Sequence, residues 1–164
     1  MGIVISNGTL LSPVNSRYDA LVIYNNGRAA IVNQSSIRSP DNIKNAVGGF
    51  YQILTDGAPS LRTQNSESRH PRSAGGVSAN GRFLYLLVID GRRAASIGST
   101  EAETALLLNI LGSHNGINFD GGGSSALAMR LTNNNVRVVN TPVHGGVPGI
   151  ERAVAGCIGV YVKD

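Results

Sequence analysis

The sequence predicts an α+β fold, with one β-rich domain over residues 1–164, a mixed sheet, hairpins and one or two packed helices. Hydrophobic residues make up 41% of the chain and charged residues only 15%, which favours a packed core over disorder. The 21 glycines, nearly twice the usual frequency of about 7%, are typical of short strands joined by tight turns. No internal repeat or shift in composition marks a second domain.

Short strands are expected through the first half of the chain, at residues 3–6, 18–24, 28–32 and 50–54. The stretch Asn25-Asn26-Gly27 lies between two of them and predicts a hairpin, because such turns need a positive φ. Ser39 and Pro40 are typical of a helix N-cap and first helical residue, which predicts one or two helical turns up to Val47. Residues 58–68 follow no pattern and are expected to form a surface loop.

The second half begins with a predicted hairpin, formed by strands at residues 73–79 and 83–90 and an Asn80-Gly81 turn. Residues 84–89 are apolar at every position, which predicts a central strand covered on both faces. Thr100 and Glu103 form a capping box, so a helix is expected over residues 101–111. The helix face expected to pack on that strand carries Ala102, Ala105, Leu106, Leu108, Ile110 and Leu111.

Four further strands are expected, at residues 117–119, 126–129, 136–140 and 154–162, with a glycine and proline loop at residues 141–151. Cys157 lies in the last of these strands and is interpreted as a buried, unreactive thiol. It is the single cysteine of the chain, which excludes an intrachain disulfide.

The charge pattern favours a small anionic ligand, such as a sugar-phosphate or a nucleotide-like molecule. The net charge is +4, and arginine supplies all the basic residues except Lys44 and Lys163. Guanidinium groups suit phosphate and carboxylate oxygens, whereas scattered arginines with few aromatic residues argue against binding to a nucleic acid polymer. No apolar run is long enough for a membrane span, and no charged-then-apolar leader begins the chain. The chain as it stands is expected in the cytoplasm, and the sequence leaves its compartment open.

Asp120, Asp90 and His70 are the candidate catalytic residues, because each lies at the end of an apolar run, where a side chain can reach a cleft. A carboxylate after a buried strand is often only a turn residue, and a loop histidine often only binds a backbone carbonyl. For Asp120 the functional interpretation is favoured. Three glycines follow it, and each costs about 0.5–1 kcal/mol in regular structure unless the backbone must approach something closely.

The backbone amides of residues 121–125 are expected to form an anion-binding nest, in which Ser124 and Ser125 add hydroxyl donors. The stretch lacks the lysine of a Walker loop and the flanking glycines of a nucleophile elbow, so a nucleophilic role for Ser124 is disfavoured. No cofactor or metal is expected, since a divalent cation near Asp90 and Asp120 has no ligand spacing to support it.

Six blocks occur in an order that resembles the phosphodiester glycosidase domain family. They are residues 69–77 (RHPRSAGGV), 84–92 (LYLLVIDGR), 99–101 (STE), 118–125 (NFDGGGSS), 139–142 (VNTP) and 151–154 (ERAV). Their order and spacing, more than the Asp-Gly-Gly-Gly-Ser stretch alone, make the resemblance specific.

The resemblance implies a hydrolase that cleaves the bond between a sugar's anomeric carbon and a phosphate. Asp120 and Asp90 would then act as nucleophile, electrostatic partner or base for water, and His70 as a general acid or base. The residues expected to bind the substrate and its phosphate are Arg69, Arg72, Arg92, Gly121, Gly122, Gly123, Ser124, Ser125, Asn140 and Arg152.

One departure from the family keeps other functions open. Family members carry an Asn-Gly-Gly-Phe-like motif before the stretch that matches residues 3–8, and Gly48-Gly49-Phe50 lies in a different place. The alternatives are a non-catalytic module that binds a sugar-phosphate or nucleotide-like ligand, and a structural subunit of a phage or cell-surface particle. A homo-oligomer is expected as well, because a partner could cover an exposed sheet edge.

Overall fold

A computed structural model describes residues 1–63, 66–132 and 134–162 of the chain. The strands are β1 Val4–Ser6, β2 Thr9–Ser12, β3 Asp19–Tyr24, β4 Ala29–Asn33, β5 Ile43–Gly48, β6 Tyr51–Thr55, β7 Ala58–Pro59, β8 Arg72–Val77, β9 Leu84–Ile89, β10 Asn115–Asn118, β11 Ala128–Arg130, β12 Val136–Val138, β13 Val143–His144 and β14 Val147–Pro148. The α-helix, α1, is Glu101–Ile110, and single 3-10 turns lie at Gln34–Ser36, Leu61–Thr63 and Gly122–Ser124.

Two five-stranded sheets contain most of these strands. The first sheet has the order β2-β1-β5-β3-β4, and the second has the order β7-β6-β10-β8-β9. The prediction of a β-rich α+β domain is confirmed. The strand pairs of both sheets are antiparallel where a mixed sheet was expected, because neighbouring strands are joined by tight hairpins or run back beside earlier strands.

The predicted turn residues lie where the hairpins reverse. Asp56 and Gly57 have φ values of 50° and 79° between β6 and β7, and Gly27 has a φ of 79° between β3 and β4. Glycine and aspartate tolerate this left-handed backbone, and such turns match the twist of the paired strands. The hairpin predicted around residues 25–27 is therefore confirmed.

The hydrophobic core has three parts. Leu21 and Ala29 of the first sheet meet Val77 and Ile117 of the second between the two sheets. The outer face of the first sheet buries a cluster made of Ile3, Ile5, Ala20, Val22, Ile43 and Ala46. The outer face of the second sheet packs under α1, where the cluster is made of Ile53, Leu54, Ala74, Ala105 and Leu108. Each large side chain buried in this way stabilises the fold by about 1.5–3 kcal/mol.

The capping box of α1 is confirmed, since the Glu103 amide donates to Thr100 Oγ1 at 3.1 Å and the Thr100 amide donates to Glu103 Oε2 at 3.0 Å. The predicted packing face is wrong in part. The helix packs mainly on β6, β7, β8 and β10, and it buries Ala105 and Leu108, against whose cluster Tyr85 and Leu87 of β9 also pack. Of the remaining apolar positions, Leu106, Ile110 and Leu111 are exposed. No helix in the described part of the chain is long and apolar enough to cross a membrane.

The helical turns predicted after Ser39 are absent, because this stretch leads into strand β5. Ser39 Oγ does accept the Asp41 amide at 3.2 Å, as an N-cap would. The chain then extends between β1 and β3, where both neighbours satisfy the backbone of β5. Tertiary pairing therefore overrides the local capping signal. The loop predicted at residues 58–68 contains β7 and a 3-10 turn, and Gln64 and Asn65 lie outside the described residues.

Two more strand predictions are wrong. The apolar run of β9 forms the edge of the second sheet rather than its centre. Residues 154–162 form no strand in the described chain, and Cys157 is exposed instead of buried. Both predictions assumed that an apolar run is covered within the same chain, which local pattern alone does not determine.

Candidate active site

A cleft of about 230 Å³ lies where β10 ends beside the start of β8. The two strands run antiparallel, with Asn118 opposite Ala74, so the chain after β10 and the chain before β8 leave the sheet together. The cleft is lined by Phe50, His70, Pro71, Arg72, Arg92, Asn118, Phe119, Asp120, Gly121, Gly122 and Arg152. Seven of the sequence-predicted site residues are among them.

Asp120 and Arg152 form an ion pair at this cleft. One oxygen of the Asp120 carboxylate accepts hydrogen bonds from the Arg152 guanidinium and from Ser124 Oγ, the latter at 2.7 Å. Arg152 Nε also donates to Ser124 Oγ at 2.9 Å. The Ser124 hydroxyl is thus held between the two charged groups, and it orients the carboxylate rather than presenting itself as a nucleophile.

Three of the five backbone amides in the glycine loop after Asp120 donate hydrogen bonds within the protein. The Gly122 amide donates to the Pro71 carbonyl at 2.8 Å, and the amides of Ser124 and Ser125 close the 3-10 turn. Among residues 121–125, the amides of Gly121 and Gly123 have no acceptor in the described parts of the chain. The anion nest predicted from five amides is therefore reduced to these two.

The glycines of this loop make room for neighbouring protein groups. A Cβ atom on Gly121 would lie 2.7 Å from the Pro71 carbonyl oxygen. A Cβ atom on Gly122 would lie 2.9 Å from Arg92 Nη2, and Gly122 also has a φ of +62°. Close approach of protein groups therefore explains the triple glycine that the sequence presented as a ligand site.

Arg92 contributes an uncompensated positive charge to the cleft. Its backbone is left-handed, with a φ of 58°, and its guanidinium rests against Gly122. Within residues 1–63, 66–132 and 134–162 it has no hydrogen bond or ion pair. An exposed guanidinium in this state can bind two oxygens of a phosphate at once.

Arg72 is buried beneath the cleft, and its charge is compensated. Its guanidinium donates to the Ser99 and Ser68 carbonyls at 3.0 Å and 3.1 Å and pairs with Glu101 at 3.4 Å. Glu101 in turn accepts the Tyr51 hydroxyl at 2.7 Å. Burial raises the pKa of the Tyr51 phenol to about 12, and the hydrogen bond to Glu101 acts in the same direction. This network fixes one wall of the cleft.

His70 lies at the rim of the cleft on a fixed backbone. Its amide donates to the Ser99 carbonyl at 3.2 Å, and the Ser99 amide returns a bond at 3.1 Å. A Cβ atom on Gly98 would lie 2.4 Å from the His70 carbonyl oxygen, so only glycine permits this approach. The imidazole itself is exposed at the cleft.

Asp90 and Asn140 lie outside the cleft lining and hold neighbouring loops together. The Asp90 carboxylate accepts from Asn140 Nδ2 at 3.0 Å, from the Thr141 amide at 3.0 Å and from Arg93 Nη2 at 2.8 Å. Asn140 also bonds the Ser125 carbonyl at 2.9 Å. Asp90 therefore anchors the segment that follows the glycine loop, and its carboxylate faces N–H donors rather than the cleft.

Arg69 lies away from the cleft and pairs with Glu103 at the start of α1. The Thr100 amide, and after it the Arg69 guanidinium, lower the pKa of the Glu103 carboxyl. Gly123, Ser124 and Ser125 lie behind the cleft lining, in the turn that holds Asp120.

Four lining residues were not predicted, namely Phe50, Pro71, Asn118 and Phe119. Asn118 is only 4% exposed, and its side-chain oxygen has no hydrogen-bond partner in the described structure. A polar residue at the end of the buried β10, directly before the Phe-Asp pair, is the sequence signal that could have found it. No group of three or more histidine, cysteine, aspartate or glutamate residues that could hold a metal ion occurs among the described residues.

Comparisons with known proteins find a matching family and structures with a similar fold. A family model described as phosphodiester glycosidase matches residues 1–161. The zebrafish N-acetylglucosamine-1-phosphodiester alpha-N-acetylglucosaminidase catalytic domain, auto-inhibited by its pro-peptide, shares the fold with a TM-score of 0.61 and 21% identity over 77% of this chain and 47% of that one. A hypothetical protein from Synechocystis has a TM-score of 0.50 and 15% identity over 79% and 44% of the two chains. The chain spans about half the length of these structures. A comparison with curated proteins finds no match.

Proposed function

Because the chain belongs to the phosphodiester glycosidase family, we propose that it is a hydrolase that cleaves the bond between a sugar's anomeric carbon and a phosphate. One observation carries the proposal. Asp120 and Arg92 line the same cleft, so a carboxylate and an uncompensated guanidinium face one ligand space. Cleavage of a glycosyl phosphodiester needs both groups. The carboxylate stabilises the carbon that becomes positive, and the guanidinium stabilises the departing phosphate.

Arg92 supports the choice of a phosphate over a neutral aglycone. Arg72 is neutralised by Glu101 and Arg152 by Asp120, whereas Arg92 has no partner among the described residues. The cleft therefore carries one excess positive charge. Gly121, whose amide has no acceptor in the described chain, lines the cleft and provides one further donor beside Asp120.

In the proposed reaction the bond between the anomeric carbon and the phosphate oxygen breaks, and its electron pair leaves with the phosphate. Asp120 stabilises the positive charge at carbon, either as an ion or by forming a transient bond to it. Water supplies the hydroxyl to the anomeric carbon, and its proton passes to His70 or to solvent. A phosphate leaving group is weakly basic, so the reaction needs no strong acid on that side.

Arg152 and Ser124 keep the Asp120 carboxylate oriented in this proposal. Both donate to one oxygen of the carboxylate, which leaves the second oxygen for the substrate. A fixed carboxylate lowers the cost of reorganisation when the charge at carbon develops.

A second function is a module that binds a sugar-phosphate or nucleotide-like ligand without cleaving it. Asp120 is the one acidic residue among those that line the cleft in the described structure, and it is already ion-paired. Ordinary glycoside hydrolysis uses two carboxyl groups. This observation favours binding over turnover if the leaving group needs protonation.

The experiment measures sugar release from UDP-sugars and from aryl glycosyl phosphodiesters by the purified protein, with calorimetric binding to the same compounds. We expect turnover that Asp120→Asn reduces by at least about 100-fold, while binding is retained. Asp56→Asn is the matched control, because Asp56 is an exposed acid at a turn outside the cleft. A folded protein that binds these compounds and releases no sugar would be a binding module.

A further inference from the structure

Strand β9 is an unusual edge strand, because its sequence has the character of a sheet interior. It pairs with β8 on one side, and the order of the second sheet leaves its other side unpaired in the described chain. All six of its residues are apolar or aromatic, and Leu86 is exposed. Edge strands usually carry charges, proline or bulges that prevent pairing with another chain. Residues 84–89 have none of these protections.

Residues 154–162 have the composition of a strand but form no strand in the described structure. The segment has no charged residue and carries Val154, Cys157, Ile158, Val160, Tyr161 and Val162, a composition typical of a strand. No strand follows β14 in the described structure, and Val160 and Tyr161 are 69% and 87% exposed. Ile158 is the exception, since it packs against the core between the sheets, in the same cluster as Leu84 of β9.

An apolar groove continues this surface beside the edge strand. Ile89 and the α1 residues Leu106, Leu107 and Ile110 line a cavity of about 430 Å³, and Ile110 is 78% exposed. Contiguous apolar surface of this kind marks a site of protein association. It lies on the face of the second sheet that carries the helix, next to the free side of β9.

We propose that two copies of this chain exchange residues 154–162, so that each segment adds to the β9 edge of the other copy. Each copy offers one unpaired apolar edge and one unpaired apolar segment, and a two-fold exchange satisfies both without leaving either exposed. Within one copy the segment lies near this edge and forms no ladder with it. In the exchanged dimer, Ile158 makes its core contact in the partner.

The exchange places the dimer interface directly after the cleft. Arg152 lines the cleft, and its amide donates to the Gly123 carbonyl at 3.3 Å. The exchanged segment begins two residues later, at Val154. Pairing of the segment with a second copy would therefore hold the chain on both sides of Ala153 and fix the guanidinium that orients Asp120.

The first test measures the mass of the purified chain in solution by light scattering during gel filtration. We expect a dimer that Leu86→Lys and Val160→Lys each convert to a folded monomer. Leu11→Lys is the matched control, because Leu11 is an exposed leucine on the edge strand β2 of the other sheet. Circular dichroism is used to check that each variant is folded. A monomeric wild-type chain, open-ended aggregates, or a dimer that survives Leu86→Lys would overturn the proposal.

The second test uses Cys157, the single native cysteine, as a reporter. Tyr85→Cys and Leu86→Cys place a second thiol on either face of β9, so that together they sample both orientations of the added strand. We expect mild oxidation of one of them to give a covalent dimer on a non-reducing gel, whereas Leu11→Cys does not. A disulfide that forms within a single chain would show that the segment pairs with its own edge, and would overturn the exchange.

Discussion

The guanidinium of Arg92 lies in the space that a Cβ atom on Gly122 would need, with Nη2 2.9 Å from that position. Both residues have left-handed backbones, with φ values of 58° for Arg92 and 62° for Gly122. Arg92 is thus positioned by backbone shape and contact rather than by an ion pair. Its charge stays available to a ligand for that reason.

Substitution of Gly122 by alanine is expected to weaken anion binding. The new Cβ would displace the Arg92 guanidinium, and the positive φ would add about 1–2 kcal/mol of strain. Gly145→Ala is the matched control, because Gly145 has a φ of 60° and open space around it. Unfolding in urea should show similar losses for both variants, while calorimetry should show at least about tenfold weaker binding of a UDP-sugar for Gly122→Ala alone. Equal affinities would mean that Arg92 does not contact the anion.

Arg72→Met is expected to destabilise the fold by about 3–5 kcal/mol, because it leaves the Glu101 carboxylate buried without its cation. Arg69→Met removes the cation of the exposed Arg69–Glu103 pair and should have little measurable effect. Chemical unfolding of both variants gives the comparison. A small loss for Arg72→Met would show that the Tyr51 hydroxyl satisfies Glu101 without the ion pair.

Tyr51 is expected to make the fold sensitive to alkaline pH. Burial and the bond to Glu101 raise the pKa of its phenol to about 12, above the ordinary value of 10.0. The neutral phenol is favoured in the folded state, so this stability is complete below about pH 10 and is lost as the pH rises towards 12. Urea unfolding across this range should show a decline that Tyr51→Phe lacks, and ultraviolet absorbance should show one late-titrating tyrosine in the wild-type protein. Parallel declines in both proteins would assign the effect to other groups.

Asp90→Asn separates an anchoring role from a catalytic one. The carboxylate accepts hydrogen bonds from Asn140, the Thr141 amide and Arg93, so we expect a loss of about 1–3 kcal/mol in stability. Turnover should fall mainly through a raised KM as the loop after the glycine turn loosens. Asp41→Asn, at an exposed acid whose carboxylate accepts the Ser39 hydroxyl, is the control. Unchanged stability with a large fall in kcat would instead give Asp90 a direct part in the reaction.

Local chemistry made much of the fold predictable. The Asn-Gly and Asp-Gly corners, the Thr100 capping box and the link from a buried strand to Asp120 each depend on residues close together in sequence. The same reasoning failed for β5 and β9, since the neighbours of a strand are set by distant segments. In both cases the sequence pattern was compatible with more than one environment.

The candidate site was predictable to a similar depth. The resemblance to a family placed Asp120, Arg92 and Arg152 in one set, although up to 60 residues separate them. The structure has all three lining one cleft. Asp90 and Asn140 belonged to the same set, and the structure uses them to hold loops. Whether a side chain faces a ligand or another loop depends on its hydrogen-bond partners, which the sequence does not specify.

The position of β10 links the assembly of the second sheet to the order in which the chain is made. β10 is the last strand of that sheet along the chain, yet it lies between β6 and β8. The two hairpins β6–β7 and β8–β9 therefore cannot join during synthesis until residues 115–118 have emerged and inserted between them. Asp120 follows two residues after that strand. A nascent chain acquires its sheet and the centre of its cleft in the same event, and a chain stalled before β10 would have neither.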